Sequence, residues 1–327
     1  MPLKSKYLSV CITNITHSVN NITQQFKRPR ILIMGCGDIG QRIIKTSPKF
    51  MRFISINSKH NHNDNYLQTQ SEADYKNKNI NFIFNLDNIK NKQNKQRFKK
   101  LKSFIQHIVY LIPPQNCGDA DSRIISMKYL LLNNTKSNII YVSTTGVYGN
   151  HNGNFVDETT LVNPKTQRAK RRVNAELYMR KLCSIPYRNK KLSILRVPGI
   201  YAKNRLPINR IQQAVPILNK EEDVYTNHIH ADDLAYIIYM GLMGKKSRSG
   251  RIINAVDDSD IKAGDWLEHV AKTYNLPLPI RMDKQTLINN IDEKRLSFLS
   301  ESRRIKNDRL KKEWKIKLKY PNIFMGL

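Results

Sequence analysis

The chain contains 327 residues, with 56 lysines and arginines against 26 aspartates and glutamates, which gives a formal net charge of +30. Its four cysteines form no C-x-x-C pair, and its longest uncharged apolar stretch, residues 234–244, is too short to cross a bilayer. We therefore expect a cytoplasmic protein with no disulfide framework, zinc site or membrane partner, and with enough chain to bury a sizeable core unaided.

Residues 1–29 differ in composition from the rest of the chain. The first 30 residues contain five lysines or arginines and no acidic residue, and they are rich in Ser, Thr and Asn. Organelle-targeting segments have a broadly similar composition, but no convincing apolar face at helical spacing is present here. We interpret residues 1–29 as a disordered basic extension.

The high net charge is weak support for nucleic-acid binding. Lys, Asn and Ile are abundant throughout, as expected of AT-rich codons. Residues 88–118 contain many lysines and no acid, yet only Phe98 and Phe104 lie near the basic cluster, which is few aromatics for a base-stacking surface. We interpret this run as a solvated helix face and expect no specific nucleic-acid partner, so a nucleic-acid-associated protein is an alternative suggested by charge alone.

Short apolar runs alternate with helical patterns through the first two thirds of the chain. The runs that predict strands are residues 31–35, 53–57, 80–86, 107–114, 138–144 and 192–198. Helical spacing follows the first run and recurs around residues 121–133 and 166–184. This alternation predicts an α/β fold with βαβ units and a parallel sheet. Beyond about residue 199 the pattern changes to helices and short strands, which predicts a smaller C-terminal portion.

A glycine-rich loop follows the first predicted strand. Residues 35–40 read Gly-Cys-Gly-Asp-Ile-Gly, a G-x-G-x-x-G motif that opens a predicted helix. In this context Gly35 suits a tight turn, Gly37 a close approach to a pyrophosphate, and Gly40 tight packing of helix on strand. The helix N-terminus favours the phosphates. The alternative, a tight turn without a ligand, is less favoured.

The end of the second predicted strand bears on the choice of dinucleotide. An acid about 20 residues after the glycine motif would bind the adenosine ribose of NAD. Here the strand ends at Asn57, Lys59 follows, and the first acid is Asp64. The missing acid and the nearby lysine favour NADP slightly over NAD.

Several ordered segments resemble one family. They are STTGVYG (143–149), LRVPGIY (195–201), HIHADDLA (228–235), NAVDDSD (254–260), SRRIKNDRL (302–310) and LKYPN (318–322). Together they resemble the extended short-chain dehydrogenases/reductases, the NAD(P)-dependent epimerase/dehydratase superfamily, and within it the atypical YeeZ-like branch. The resemblance extends from about Ile31 to Leu327.

The resemblance implies a Rossmann-type doubly wound parallel sheet with a smaller C-terminal substrate-binding portion. Residues 30–200 would form the NAD(P)-binding domain, and residues 201–327 mostly the substrate-binding portion, interleaved with the Rossmann core. It implies an oxidoreductase or epimerase-like protein acting on a small substrate, anionic or a nucleotide sugar. A monomer and a homodimer both remain open. The implied cofactor-binding residues are Gly35, Gly37, Asp38, Ile39, Gly40, Asn57, Lys59, Pro113, Arg172 and Pro198.

The same resemblance locates the catalytic positions. The family keeps a Ser or Thr after the fifth strand, and a Tyr and a Lys four apart on the next helix. Thr144 matches the hydroxyl position, whereas the Tyr and Lys positions hold Arg168 and Arg172. Arginine is not deprotonated in proteins, so neither residue can act as the proton-transferring group. A literal Y-x-x-x-K, from Tyr187 to Lys191, lies outside the predicted helix, and we interpret it as chance.

Arg168 and Arg172 share one face of the predicted helix because they are four residues apart. If this face is turned to the nicotinamide, it offers paired cations to a carboxylate or phosphate, and Arg172 could replace the ribose contact of the absent Lys. We interpret Lys170 and Arg171 as a solvated basic surface. Because the usual Tyr and Lys are missing, a non-catalytic NAD(P)-binding sensor or scaffold is the main alternative.

Further polar residues of the family motifs have structural interpretations. Tyr148 and Tyr201 are conceivable substitute acids, but we expect both to pack structurally. His228 and His230 would face one side of a strand, as metal ligands can. We expect them instead to fix the C-terminal portion to the sheet, with no metal.

Overall fold

The computed structural model shows an α/β protein built on a parallel sheet. The residues that it describes are 30–57, 79–83, 105–115, 118, 120–125, 128, 136–184, 189–244, 251–289, 296 and 299–327. The predicted extension, residues 1–29, and most of the basic run 88–118 lie outside the described residues. No helix among the residues described is long and apolar enough to span a membrane.

The strands of the described residues, in chain order, are β1 (Arg30–Met34), β2 (Arg52–Asn57), β3 (Asn79–Ile83), β4 (His107–Tyr110), β5 (Lys136–Thr144), β6 (Phe155–Val156), β7 (Asn189–Val197), β8 (Gly199–Tyr201), β9 (Ile217–Leu218), β10 (Tyr225–Thr226), β11 (His228–His230), β12 (Arg251–Asn254), β13 (Ile261–Lys262), β14 (Arg281–Met282) and β15 (Arg304–Ile305). The α-helices are α1 (Asp38–Thr46), α2 (Ser122–Ile125), α3 (Gln167–Cys183), α4 (Ile208–Gln212), α5 (Ala231–Met243), α6 (Ala263–Thr273), α7 (Lys284–Ile288) and α8 (Asp308–Trp314).

Among the described residues, the central sheet has seven parallel strands in the order β12-β7-β5-β4-β1-β2-β3. The chain first moves outward from β1 through β2 to β3 and then returns to β4 on the other side of β1. This is the strand order of doubly wound dinucleotide-binding folds, whose ligands bind beyond the carboxyl ends of the strands near the reversal. The Rossmann-type α/β prediction is confirmed. All six predicted strands belong to the sheet, although residues 84–86 are not described.

Helices cover both faces of the sheet, and β1 shows how the sequence divides them. Ile31 and Ile33 pack on one side with α1, α5 and α8, whereas Leu32 and Met34 pack on the other side with α3. All four side chains are fully buried. An uninterrupted apolar run is what a strand covered on both faces requires, because successive side chains point to opposite sides.

The C-terminal part of the chain contributes small paired strands and one strand of the main sheet. The small pairs are β8 with β11, β9 with β14, β10 with β13 and β6 with β15. A separate apolar cluster surrounds α6 and includes Trp266, Leu267 and Val270. β12 instead returns to the central sheet beside β7. Residues of this C-terminal part, including some of β8, β10 and α6, line a cleft at the carboxyl end of β7, and we call them the second wall of the cleft.

Candidate functional site

The glycine loop joins the carboxyl end of β1 to α1. Gly35 has a φ of +85° and donates its N–H to the carbonyl of Ile56 at 2.9 Å. A Cβ at Gly35 would lie 2.9 Å from the side chain of Ile112. Both the left-handed conformation and the lack of room therefore require glycine here.

The other two glycines of the motif differ in their surroundings. A Cβ at Gly40 would lie 2.8 Å from Cys36 Sγ and 3.2 Å from Ile33, so Gly40 permits α1 to pack closely on β1. A Cβ at Gly37 would meet no heavy atom of the described residues within 4 Å. Gly37 is the N-cap of α1 and provides no side-chain cap. The open space therefore lies at a helix N-terminus, whose N–H groups and dipole suit a phosphate, and the loop fits a dinucleotide pyrophosphate.

An ion-pair network connects the glycine loop to the segment after β7. The Asp38 carboxylate accepts hydrogen bonds from Arg42 at 2.9 Å and from Arg205 at 3.1 Å. Arg42 also donates to Asp232 at 2.5 Å and to Asn204 at 2.9 Å. The two guanidinium groups offset the charge of a carboxylate that would otherwise repel an approaching phosphate.

The structure describes only some of the other residues near the loop that were predicted to bind the cofactor. Ile39 is partly buried against the core on the α1 face of the sheet. Asn57 is the last residue of β2, which pairs with β1. It therefore lies at the carboxyl ends of the strands, as Gly35 does. Lys59 lies outside the described residues.

A cleft of about 610 Å³ opens at the carboxyl ends of β4, β5 and β7. Its lining includes five residues that the sequence predicted, namely Pro113, Thr144, Arg168, Arg172 and Pro198. The lining residues that the sequence did not predict include Arg210, Asn227, Trp266, Glu301 and Arg303. These come from four separate segments of the C-terminal part of the chain, and no spacing pattern marks them as one group.

Thr144 is the last residue of β5 and the N-cap of the 3₁₀ turn Thr145–Tyr148. Its Oγ1 accepts the Gly146 N–H at 3.2 Å. The side chain therefore stabilises the strand end, and its hydroxyl proton can still be donated to a ligand in the cleft.

Arg172 is buried on α3 and tied to the strand ends beneath the cleft. Its Nη1 lies 3.0 Å from the carbonyl oxygen of Val142, 3.1 Å from the hydroxyl of Tyr141 and 3.4 Å from the carbonyl oxygen of Ile112. The guanidinium thus holds α3 against the ends of β4 and β5. The two arginines are consequently not an equivalent pair, since one is anchored in the protein.

Arg168 lies one turn nearer the N-terminus of α3 and is exposed where it lines the cleft. Desolvation of its guanidinium by the surrounding protein lowers the pKa of Arg168, the Glu301 carboxylate raises it, and the cations of Arg172 and Arg171 lower it further. Positive charges are therefore concentrated at this end of α3.

The interpretation of Lys170 and Arg171 as a solvated basic surface is correct for Lys170 and wrong for Arg171. Lys170 is exposed. Arg171 is buried, and its Nη1 donates to the carbonyl of Gly118 at 2.9 Å, so the prediction for this residue is wrong. The aliphatic part of an arginine can pack in the protein while its head satisfies a backbone carbonyl, which charge patterning does not reveal.

The two tyrosines considered as substitute acids have structural contacts. Tyr148 is fully buried and donates its hydroxyl to Asn254 at 2.8 Å, and burial raises its pKa. Tyr201 donates to the carbonyl of Asn322 at 3.1 Å, and burial likewise raises its pKa. Neither tyrosine lines the cleft described above. Lys191 lies on β7 and Tyr187 is outside the described residues.

The histidine motif fixes β11 and α5 in place. His230 is the N-cap of α5 and accepts the Asp232 N–H at 3.2 Å. Asp233 accepts the N–H groups of Lys319 and Tyr320, each at 2.8 Å. In the part of the chain that the structure describes, no group of three or more His, Cys, Asp or Glu side chains could hold a metal ion.

Beneath Thr144 lies a buried ion pair between α3 and β7. Arg196 donates to Glu176 through Nη2 at 2.8 Å and through Nε at 3.2 Å. Ser143 donates to the same carboxylate at 2.6 Å, and the Arg196 guanidinium lies 4.7 Å from the ring centre of Tyr148. This network sets the position of α3, and thereby of Arg168 and Arg172, relative to the sheet.

Comparison with protein-family models finds no match, and comparison with curated proteins finds none either. Solved structures do match. A conserved protein of unknown function from Silicibacter pomeroyi is 24% identical, with a TM-score of 0.70 over 91% of this chain and 96% of that one. The dTDP-glucose 4,6-dehydratase of Bacillus anthracis, solved with NAD, is 16% identical, with a TM-score of 0.69 over 91% and 94%. The UDP-glucuronic acid 4-epimerase of Bacillus cereus, also solved with NAD, is 14% identical, with a TM-score of 0.65 over 89% and 92%. At these identities the likeness establishes the Rossmann-type fold that such NAD-binding dehydratases and epimerases have.

Proposed function

We propose that the chain is an atypical, YeeZ-like member of the extended short-chain dehydrogenases/reductases that binds NAD(P) across the carboxyl ends of its strands. The observation that carries the proposal is the open space at Gly37, at the N-terminus of α1, on the same sheet edge as the cleft. The NAD complexes of two similar folds support it.

The proposed cofactor contacts follow the sheet edge. The pyrophosphate would lie against residues 35–40, with Gly35, Gly37, Asp38, Ile39 and Gly40. The adenosine ribose would lie near Asn57 and Lys59, where a lysine and no acid favours NADP. The nicotinamide end would lie among Pro113, Arg172 and Pro198 in the cleft. Residues 30–200 would form the binding domain and residues 201–327 most of the substrate-binding portion.

Bound NAD(P) would supply hydride transfer to or from a small substrate. The chain itself would contribute the Thr144 hydroxyl as a hydrogen-bond donor to a carbonyl or alcohol, and Arg168 as a cation for an acidic substrate such as a nucleotide sugar. Arginine is not deprotonated in proteins, so neither Arg168 nor Arg172 can exchange a proton with the substrate as the usual Tyr does. We propose an oxidoreductase or epimerase-like activity in the cytoplasm that does not use the Tyr/Lys pair.

A non-catalytic NAD(P)-binding sensor or scaffold is the second candidate. It is favoured by one observation, namely that both proton-transfer positions of α3 hold arginines, one of which is anchored to backbone carbonyls. In that function the cleft would recognise a ligand without chemical change.

Titration of the purified protein with NADPH and NADH, followed by nicotinamide fluorescence, tests the shared basis of both candidates. We expect saturable binding of at least one, and binding of neither would overturn both. Turnover of the bound nucleotide with any of a panel of carbonyl compounds and nucleotide sugars would then favour the enzyme. Tight binding without turnover across the panel would favour the sensor.

A further inference from the structure

Arg205 reaches from the segment after β8 to the first residue of α1. Its Nη1 donates to Asp38 Oδ2 at 3.1 Å, and its Nε donates to the carbonyl of Ile200 at 3.4 Å. Asp38 directly follows Gly37, which is the exposed N-cap of α1. The guanidinium of Arg205 is therefore paired with the neighbour of the residue that a pyrophosphate at this helix N-terminus would approach.

Asp38 has two guanidinium partners, which differ in how firmly they are held. Arg42 Nε donates to the other carboxylate oxygen, Oδ1, at 2.9 Å. Arg42 also donates through Nη1 to Asp232 at 2.5 Å and through Nη2 to Asn204 at 2.9 Å, and its side chain is 21% exposed. The Arg205 side chain is 35% exposed, and Asp38 is its only carboxylate partner among the described residues. Asp38 can thus release Arg205 and still be neutralised by Arg42.

We propose that Arg205 is a further cofactor-binding residue, which exchanges the Asp38 carboxylate for a phosphate of the dinucleotide pyrophosphate when the cofactor binds. The inference rests on the proposed function, since it takes residues 35–40 as the dinucleotide site. A guanidinium binds carboxylate and phosphate oxygens through the same charge-assisted hydrogen bonds, so either anion satisfies Arg205. The exchange leaves each anion with a cation, Asp38 with Arg42 and the pyrophosphate with Arg205.

The sheet order indicates which phosphate Arg205 contacts. The adenosine ribose, and with it the 2′-phosphate of NADP, would lie near Asn57 at the end of β2. β2 lies on one side of β1, whereas β7, from which the chain continues into β8 and Arg205, lies on the other side. Arg205 thus approaches α1 from the side away from the ribose. It should act equally on NADH and NADPH, which share the pyrophosphate.

The test is the affinity for NADPH and NADH, followed by nicotinamide fluorescence in the wild type, Arg205→Met and Arg205→Lys. We expect Arg205→Met to bind at least about fivefold more weakly, by the same factor for every dinucleotide that the wild type binds. Arg205→Lys keeps a cation and should recover part of this loss. An unchanged affinity in Arg205→Met would overturn the proposal, as would a loss confined to NADPH in a protein that binds both.

Asp38→Asn tests the exchange itself. Asparagine keeps an oxygen for Arg42 but removes the charge that holds Arg205, so we expect dinucleotides to bind at least about threefold more tightly. In the Arg205→Met background the same substitution should bring a smaller gain, because no guanidinium is left to be released. If Asp38 acts only by repelling the phosphates, the gain would be equal or larger in that background, and this result would contradict the exchange.

Arg251→Met is the matched control. Arg251 Nε donates to a carboxylate, that of Glu313, at 2.8 Å, and its side chain is 29% exposed. It is the first residue of β12, so it lies at the amino ends of the parallel strands, away from the glycine loop. An equal loss of affinity in this variant would show an effect of net charge and contradict a local role of Arg205.

The same titrations separate this inference from the proposed function. If the wild type binds NADPH or NADH and Arg205→Met binds it equally well, Arg205 is not a cofactor-binding residue and the proposed function stands. If the wild type binds neither dinucleotide, the proposed function fails, and the inference fails with it.

Discussion

Arg172 Nη1 lies 3.1 Å from the hydroxyl of Tyr141, and the same nitrogen reaches the backbone of the two strands whose ends form the cleft floor. Arg172 is therefore part of the protein interior. Arg168, one helical turn away, has the opposite environment and is exposed at the cleft. The two positions should respond differently to substitution.

Replacement of each arginine by methionine separates the anchoring role from the ligand role. Arg172→Met leaves the Tyr141 hydroxyl and the Val142 carbonyl without this partner, so we expect the free energy of unfolding to fall by about 1–3 kcal/mol. Arg168→Met should change it by less than about 0.5 kcal/mol, because the residue is exposed. Urea denaturation of both variants checks this expectation, and equal losses would show that the two residues are equivalent.

The buried pair of Glu176 and Arg196 should be coupled in stability. Glu176→Gln leaves the Arg196 guanidinium buried without its carboxylate, and we expect a loss of about 3–5 kcal/mol in the free energy of unfolding. The double variant Glu176→Gln/Arg196→Met removes both charges and should be less destabilised than the sum of the two single variants. Additive losses in a double-mutant cycle by chemical denaturation would show that the pair does not interact.

Two buried neighbours give opposite dependences of stability on pH. The Asp257 N–H donates to the carbonyl of His228 at 2.8 Å, and burial raises the pKa of Asp257 to about 7 and lowers the pKa of His228 to about 4. Between these values the folded state keeps Asp257 protonated whereas the unfolded state ionises it, so its contribution to stability falls as the pH rises. Between about pH 4 and pH 6.5, His228 is protonated in the unfolded state but neutral in the folded state, so its contribution to stability rises with pH.

The two contributions should offset each other in the wild type and separate in the variants. Relative to the wild type, Asp257→Asn should gain stability as the pH rises from about 4.5 to about 6.5, and His228→Gln should lose it, each by up to about 1.4 kcal/mol per pH unit. Urea denaturation at both ends of this range measures the slopes. Parallel slopes in all three proteins would contradict the assigned protonation states.

The sequence was sufficient to predict the sheet and the glycine loop because both rest on local patterns. Strands buried on both faces must be continuous apolar runs, and the turn at Gly35 admits only glycine. Thr144 and Arg168 were selected through the resemblance to the short-chain dehydrogenases/reductases, and both line the cleft. These inferences needed no knowledge of distant contacts.

The second wall of the cleft could not be predicted, because it depends on long-range packing. Glu301 and Arg303 follow the last residue of α3, Cys183, by 118 and 120 residues in sequence, and neither belongs to a spacing pattern that indicates a ligand. The burial of Arg171 was missed for the same reason, since its partner is the backbone carbonyl of Gly118. Charge patterns along a helix do not show which cations a neighbouring segment covers.

Alanine substitutions at Gly40 and Gly37 compare the stability cost of a side chain at a packed and at an open position of the glycine loop. A Cβ there would overlap Cys36 and Ile33, so we expect Gly40→Ala to lower the free energy of unfolding by about 1–3 kcal/mol. Gly37→Ala extends into open space and should leave the urea midpoint nearly unchanged. A comparable loss in both variants would mean that the space at Gly37 is not free in the folded protein.

The most direct measurement is the titration of NADPH and NADH into the wild type and Gly37→Ala, with nicotinamide fluorescence as the signal. We expect saturable binding of at least one dinucleotide to the wild type and binding at least roughly tenfold weaker in Gly37→Ala, because the added methyl group stands where the pyrophosphate would approach. Failure of the wild type to bind either dinucleotide, or equal affinities in the two proteins, would contradict a dinucleotide site at this loop.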